Sequence, residues 1–338
     1  MSSPTPAERG LHMPAEWEPH ERTLMAWPCR TSLWAGQLDR AKQEYAGVAN
    51  AIAAFEPVTM AVNGPREAAE VRAACDAAVE PLELPTNDSW MRDHGPIFVV
   101  SDDRRERVGV HFRFNAWGGK FAPFDRDERS GGVLASRYGD EVVAAPIVLE
   151  GGSIAVDGAG VLLTTEQCLL HPGRNPELGR EEISGHLHEL LGVDRVIWLG
   201  QGLVEDRDTD GHVDLIADFI APGKVLLQSA PAANINHERL AQNHGIARAA
   251  GLQIIDFPVL AYDKVEDEEV VCSYLNFYLG ERFCVVPTFG QDAKDDEALR
   301  RIADALPGHE IVGVPALTIA WGGGGPHCIT QQVPALAG

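Results

Sequence analysis

Apolar residues recur along this chain in two alternating rhythms, and no linker interrupts them. Asp39 to Phe55 carries Tyr45, Val48, Ala49, Ile52 and Phe55 at helical spacing. Pro65 opens a second helix running to Val79, at the first-turn position where its missing N–H costs nothing. A third starts behind Asn175-Pro176, places Ile183, Leu187, Leu190 and Leu191 on one face, and ends at Gly192. A fourth spans Asp295 to Leu306. Between them lie short β-type runs: Val58–Val62, Ile97–Val100, Val142–Leu149, Val161–Thr164, Val196–Trp198, Val225–Gln228, Phe283–Pro287 and Ile311–Val314. Such alternation restricts the chain to an α/β or α+β class with many short strands. Strand-strand-helix units recur roughly every 60–70 residues. With no Ser/Gly/Pro linker or block of like charge, residues 13–338 read as a single domain behind a flexible tail over residues 1–12.

The 338 residues suffice for a well-buried core, and no run of 18 or more apolar residues stands among them to span a membrane. The opening MSSPTPAERG has neither the basic patch nor the apolar stretch of a secretion signal. Six scattered cysteines (Cys29, Cys75, Cys168, Cys272, Cys284, Cys328), none in a CxxC pair, read as free thiols of a cytoplasmic protein. The net charge of −22 repels nucleic acid and anionic membrane and attracts small cations, although solubility alone would account for it.

Five segments gather Gly, aromatic and ionisable residues beyond what a core needs. Thr86 to Pro96, with Asp88, Trp90 and Asp93, precedes a strand, where polar groups can converge; it also reads as an Asx-rich turn. Glu150-Gly151-Gly152-Ser153 ends an apolar strand, and its two glycines permit close backbone approach or a simple hairpin. Glu205 to Asp214 is acidic and carries His212 and Asp214, which an extended strand would project to one face as an acid/base pair. That run could alternatively feed an ordinary strand or hold a metal, but it lacks the ligand spacing of an EF-hand. Ser273 to Tyr278 is a β-type run with Asn276 among aromatics. Trp321 to Gln332 leads through four glycines to Cys328; no Gly-Lys-Ser/Thr follows, and Gly200-Gln201-Gly202 lacks the third glycine of a dinucleotide site. His327 would point away from Cys328 in extended chain, so His212 is the better base.

These residues carry a resemblance. The chain is similar to the agmatine deiminases of bacteria and plants, related to the Porphyromonas-type peptidyl-arginine deiminases. The likeness runs from MPAEWEPHERTLMAWP (Met13 to Pro28) through FNAWGGK (Phe114 to Lys120), LEGGS, TDGHVD, SYLNFY and VVPTFG (Val285 to Gly290) to the closing HCITQQ. Each motif is weak alone; in this order they are highly specific. The resemblance implies a five-bladed pseudo-symmetric α/β propeller, the pentein fold, with its site where distant segments meet. It implies that Cys328 attacks the guanidinium carbon to form a thiouronium, and that His212 protonates departing ammonia and then activates water. Glu150 would orient His212, Asp93 and Asp214 would hold the guanidinium, and Asp88, Trp90, Trp117 and Asn276 would border the site. The implied reaction turns agmatine and water into N-carbamoylputrescine and ammonia, with no metal or other cofactor, in a chain that can form a homodimer.

Gly325-Pro326 stand where the family commonly has Asn-Ile, which removes a side chain that could touch substrate. Arginine or peptidyl-arginine is the alternative substrate, with Arg92 and Arg207 as the cations that would meet a carboxylate. An amidinotransferase would share the nucleophile logic. A metal-dependent hydrolase built on His212 and Asp214, and a binding protein with no catalysis, are the rivals from other classes.

Overall fold

The computed structural model describes residues 4–337, and five of its sheets are built by one connection. A short strand pairs antiparallel with a second, and a helix then carries the chain to a third strand parallel to the second. Ile97–Ser101, Arg107–Arg113 and Glu141–Val148 do this across helix Asp125–Tyr138. Ile154–Val156, Val161–Thr165 and Arg195–Leu199 do it across Arg180–Leu191. Ala217–Ala221, Lys224–Gln228 and Gln253–Phe257 use His237–Ala249, and Tyr278–Leu279, Phe283–Thr288 and Glu310–Pro315 use Asp292–Ala305. The remaining sheet closes the ring. Its first strand is Thr330–Pro334, antiparallel to His20–Ala26, and helix Leu38–Ala53 leads on to the parallel strand Val58–Val62. Parallel neighbours need such a crossover, which explains why a helix follows every second strand. Five such sheets match the number of units in the five-bladed α/β propeller that the motifs implied.

Helix Leu38–Ala53 lays an apolar stripe on strands. Tyr45, Val48 and Ile52 are buried with Met60, Val285 and Val286 in one cluster, each such side chain contributing about 1.5–3 kcal/mol. Pro65 opens helix Pro65–Ala74 as expected, and Gly192 ends Arg180–Leu191 in the left-handed conformation (φ 64°) that favours glycine.

The tail expected over residues 1–12 carries contacts along most of its length. Residues 1–3 lie outside the described part, but Ala7–Arg9 form a 3-10 turn and Leu11–His12 pair with Val100 and Ser101. Leu11 is buried, the Met13 N–H donates to Leu191 O at 2.8 Å, and Arg9 pairs with Glu106 and Glu141, so apolar burial and ion pairs fix this segment. Among the described residues no helix is long and apolar enough to cross a membrane.

Candidate active site

The five polar segments meet, and each stands directly before the first strand of a blade. The helical turn Met91–His94 precedes Ile97–Ser101, the 3-10 turn Gly151–Ser153 precedes Ile154–Val156, and the 3-10 turn Val213–Leu215 precedes Ala217–Ala221. The stretch from Tyr274 to Phe277 precedes Tyr278–Leu279, and His327 and Cys328 precede Thr330–Pro334. Equivalent corners of the repeated unit therefore supply Asp93, Glu150, His212, Asp214, Asn276 and Cys328.

Two of these corners differ from expectation. His212 and Asp214 do not alternate along a strand; a 3-10 turn carries Asp214, and the loop ahead of it is wound around Asp206. The Asp206 carboxylate accepts the backbone N–H groups of Thr209, Gly211 and His212 at 3.0–3.1 Å, which delivers the imidazole inward. Ser273 to Tyr278 is likewise not one strand but a turn between Glu268–Ser273 and Tyr278–Leu279.

Cys328 is buried, and its Sγ donates to Asp214 Oδ2 at 3.3 Å. Its N–H donates to Asn276 Oδ1 at 3.2 Å, while Asn276 Nδ2 donates to Asp214 O at 3.2 Å. Asn276, expected to border the substrate, is thus spent on main-chain groups and ties the thiol segment to the Asp214 turn. Asp93 accepts the Gly152 N–H on Oδ1 at 3.0 Å and Trp117 Nε1–H on Oδ2 at 2.8 Å. The two ring nitrogens of His212 face carboxylates at 3.8 Å each, Nδ1 toward Asp93 and Nε2 toward Glu150. Glu150 in turn lies 2.7 Å from Arg174 Nε, and Arg174 reaches Asp210 at 2.8 Å.

Burial would strip His212 of its proton, but Asp93, Cys168 and Glu150 outweigh it and hold the imidazolium well above the usual histidine range. Burial pushes the Asp93 carboxyl up to about 6, against the pull of His212 and with repulsion from Asp214 and Glu150. The Glu150 and Asp214 carboxyls sit below their ordinary value although burial opposes it, because His212 and Arg174 hold the first and His327 the second. Burial, with Asp214 and Asp93 beside it, drives the Cys328 thiol well above the ordinary cysteine range.

The thiol opens onto a cleft walled by Leu33, Trp90, Trp117 and Phe121 and carrying the acids Asp88, Asp93 and Asp208. Trp90 stacks on Trp34, and Trp117 is held edge-on by Phe114 and Phe121. Trp117 adopts left-handed backbone (φ 55°, ψ 45°), a strained conformation that its bond to Asp93 and its ring contacts compensate. Lys120, next along that loop, grips Asp210 at 2.7 Å and the carbonyls of Arg207 and Asp208. Gly325, which stands where the family has Asn, does not line this cleft; a Cβ there would meet Asn276 Oδ1 at 2.7 Å.

Sequence reasoning placed Cys328, His212, Glu150, Asp93, Asp214, Asp88, Trp90 and Trp117 in the region where the structure has them. It missed Arg174, Asp208 and the partners of His327. Glu150, Cys168 and His212 bring metal-type donor atoms within 4.8 Å of one another, but Arg174 already neutralises Glu150 there, so the set does not favour a cation.

The chain matches the family model of Porphyromonas-type peptidyl-arginine deiminase over residues 12–334. An agmatine deiminase of Stutzerimonas stutzeri (strain A1501) is 40% identical over 361 residues, covering 98% of this chain and 97% of that protein. Among solved structures, the agmatine deiminase of Enterococcus faecalis has a TM-score of 0.91 at 33% identity, covering 99% of this chain and 98% of that one. A cysteine-to-serine variant of the C. jejuni agmatine deiminase with substrate bound has a TM-score of 0.89 at 27% identity and covers 97% of both chains. The match reaches from the strand at Leu11–His12 to the closing strand Thr330–Pro334, and the chain belongs to the Porphyromonas-type peptidyl-arginine deiminase family.

Proposed function

We propose that this chain hydrolyses agmatine to N-carbamoylputrescine and ammonia through a covalent intermediate on Cys328. The observation that carries the substrate is the charge of the cleft. Among its described lining residues there are three aspartates, Asp88, Asp93 and Asp208, and no Lys or Arg. A guanidinium bound at Asp93 and Asp214 leaves the exposed Asp208 for a second cation, whereas an α-carboxylate would meet no cation in the lining, Asp88 being paired behind it with Arg30 at 2.6 Å. Arg92, the cation that could have met a carboxylate, is buried against Glu16 at 2.8 Å, and Arg207 is outside the lining.

The chemistry follows from the placement of groups. Asp93, Asp214, Glu150 and Glu16 are matched in charge by His212, His327, Arg92 and Arg174, beside Cys328 as a thiol. A guanidinium entering between Asp93 and Asp214 adds one positive charge and favours the thiolate, the thiol proton leaving to solvent. The thiolate attacks the guanidinium carbon, a C–S bond forms, and ammonia leaves with a proton from His212. Water then attacks the thiouronium carbon and gives one proton to His212; the C–S bond breaks, the thiolate returns, and the second water proton leaves to solvent, where ammonia takes one up. Glu150, backed by Arg174, orients the imidazole through both steps. Fixing the carbon between two carboxylates beside the sulfur supplies several kcal/mol of the barrier, of the ~7–11 kcal/mol available to positioning. Since all five blades feed one site, residues 13–338 act as one catalytic domain, and the six free thiols suit a cytoplasmic setting.

The test is ammonia release from agmatine, free arginine and a C-terminal arginyl peptide at equal concentration. Agmatine is expected to exceed the others in kcat/KM by at least ~10²-fold, the discrimination expected when a carboxylate is placed beside an acid instead of a cation. Preference for arginine or the peptide would move the substrate while keeping the thiol chemistry.

A further inference from the structure

We propose that His327 and Glu16 are positioning residues of this reaction: an ion chain running Arg92–Glu16–His327–Asp214 pins one oxygen of Asp214 and leaves the other for the guanidinium. The inference rests on the reading of Asp214 as a substrate carboxylate. His327 Nδ1 lies 2.9 Å from Asp214 Oδ2, and its Nε2 lies 2.9 Å from Glu16 Oε1. Carboxylates only accept, so both ring nitrogens donate and His327 is an imidazolium. Glu16 Oε1 also pairs with Arg92 Nη1 at 2.8 Å. Arg92 then frames the nucleophile: its N–H donates to Cys328 O at 3.1 Å, its Nε to His327 O at 3.3 Å, and its Nη1 to Gln332 Oε1 at 2.9 Å. At the far end Asp214 Oδ1 is buried without a protein partner, which leaves it as an acceptor for a guanidinium donor.

The chain explains why His327 is not the base. In the turn from Pro326 to Ile329 neighbouring side chains do not alternate, so His327 and Cys328 both reach Asp214 Oδ2, and no ring nitrogen is left to accept a proton. The charged groups around His327 come from four elements: Glu16 from the N-terminal segment, Arg92, Asp214, and Asp218 from Ala217–Ala221. Burial and Arg92 work against the imidazolium, but Glu16 and Asp214 prevail and raise it to about 9. Arg92 and His327 hold Glu16 down to about 2 against burial. Asp218 is pushed well above its ordinary value by burial and by Glu16. Deprotonating His327 would leave Asp214 or Glu16 without its donor and free Asp214 to turn.

Two measurements test this. In Cys328→Ala protein with ¹⁵N-labelled histidine, both His327 ring nitrogens are expected to carry protons throughout about pH 6 to 8, above the ordinary histidine range. A bare ring nitrogen at neutral pH overturns the proposal whatever the substrate proves to be. In the active enzyme, Glu16→Gln is expected to lower kcat/KM about 10²-fold, mainly through KM, as expected for a displaced binding group. It also moves the alkaline limb down by about one pH unit as His327 loses a counter-charge, and Glu16→Asp recovers part of the loss. An equal loss at every pH, with the limb unmoved, marks a merely structural Glu16 and overturns the positioning role. If wild-type protein ignores agmatine, the substrate reading fails while the histidine spectrum still decides the ion chain.

Discussion

Gly152 and His212 are separated by the space of one absent methyl group: a Cβ on Gly152 would stand 2.6 Å from His212 Nδ1. The same atom would lie 2.8 Å from Asp214 Oδ2 and 2.9 Å from Asp93 Oδ1. The glycine therefore opens the point where the acid/base and both guanidinium carboxylates converge, while its N–H holds Asp93. Gly152→Ala is expected to keep the fold at a cost of about 1–3 kcal/mol and to lower kcat/KM by at least ~10²-fold. Thermal melts paired with ammonia release check both parts; activity within threefold of wild type, on the order of 0.6 kcal/mol, would show that the convergence has no catalytic importance.

Asp93 should set the acid limb of the pH profile. Its carboxyl is raised to about 6 by burial and by Asp214 and Glu150, so it gains a proton as pH falls through that value and loses its hold on a cation. The kcat/KM for agmatine reports the free enzyme and should decline below pH of about 6. A profile that stays flat down to about pH 4.5, near the ordinary carboxylate range, would separate Asp93 from substrate binding.

Arg174 is the counter-ion of Glu150, and both side chains are fully buried. Arg174→Met removes one partner and strands the other, so unfolding free energy should fall by about 3–5 kcal/mol. Activity should fall with it as Glu150 takes up a proton and ceases to orient His212. Chemical denaturation measures the first effect, and ammonia release under native conditions the second. A loss under 1 kcal/mol, roughly that of an exposed pair, would contradict the buried arrangement.

How much of this was legible in the sequence varied with the physics of each feature. Helices with a continuous apolar stripe were readable: Leu38–Ala53 against an expected Asp39 to Phe55, and Arg180–Leu191 ending at Gly192. Asp125–Tyr138 went unread because Gly131 and Gly132 interrupt it, yet Gly131 lets the helix approach His94, whose carbonyl would meet a Cβ at 2.5 Å. His237–Ala249 buries Asn243, whose amide bonds Gly200 N and Gln201 O, so a polar residue occupies a core position and the stripe disappears. The site motifs were legible as clusters of unusual residues. Their geometry was not, since the 3-10 turn at Val213–Leu215 and the turn holding His327 break the alternation that an extended reading assumes. Glu16 and Arg174 had no local signature, because a buried ion pair is visible only when its distant partner is known.

Asp208 lies exposed on the cleft, away from the buried thiol, and should act on the far end of the substrate. Asp208→Asn is expected to raise KM for agmatine by ~5–10-fold with kcat little changed, the size of effect expected for an exposed charge pair. A guanidine with an uncharged alkyl tail should be indifferent to the change. Equal effects on both substrates would show that Asp208 shapes the loop instead of reading the second cation.

The central claim is that Cys328 forms the covalent bond to the guanidinium carbon, and Cys328→Ala measures it most directly. Ammonia release from agmatine by the purified variant should fall by at least ~10⁴-fold, since removal of a nucleophile removes the reaction path. The melting temperature should stay close to that of wild type. Retention of activity within ~10-fold of wild type would contradict the account, because no other thiol lines the cleft among the described residues.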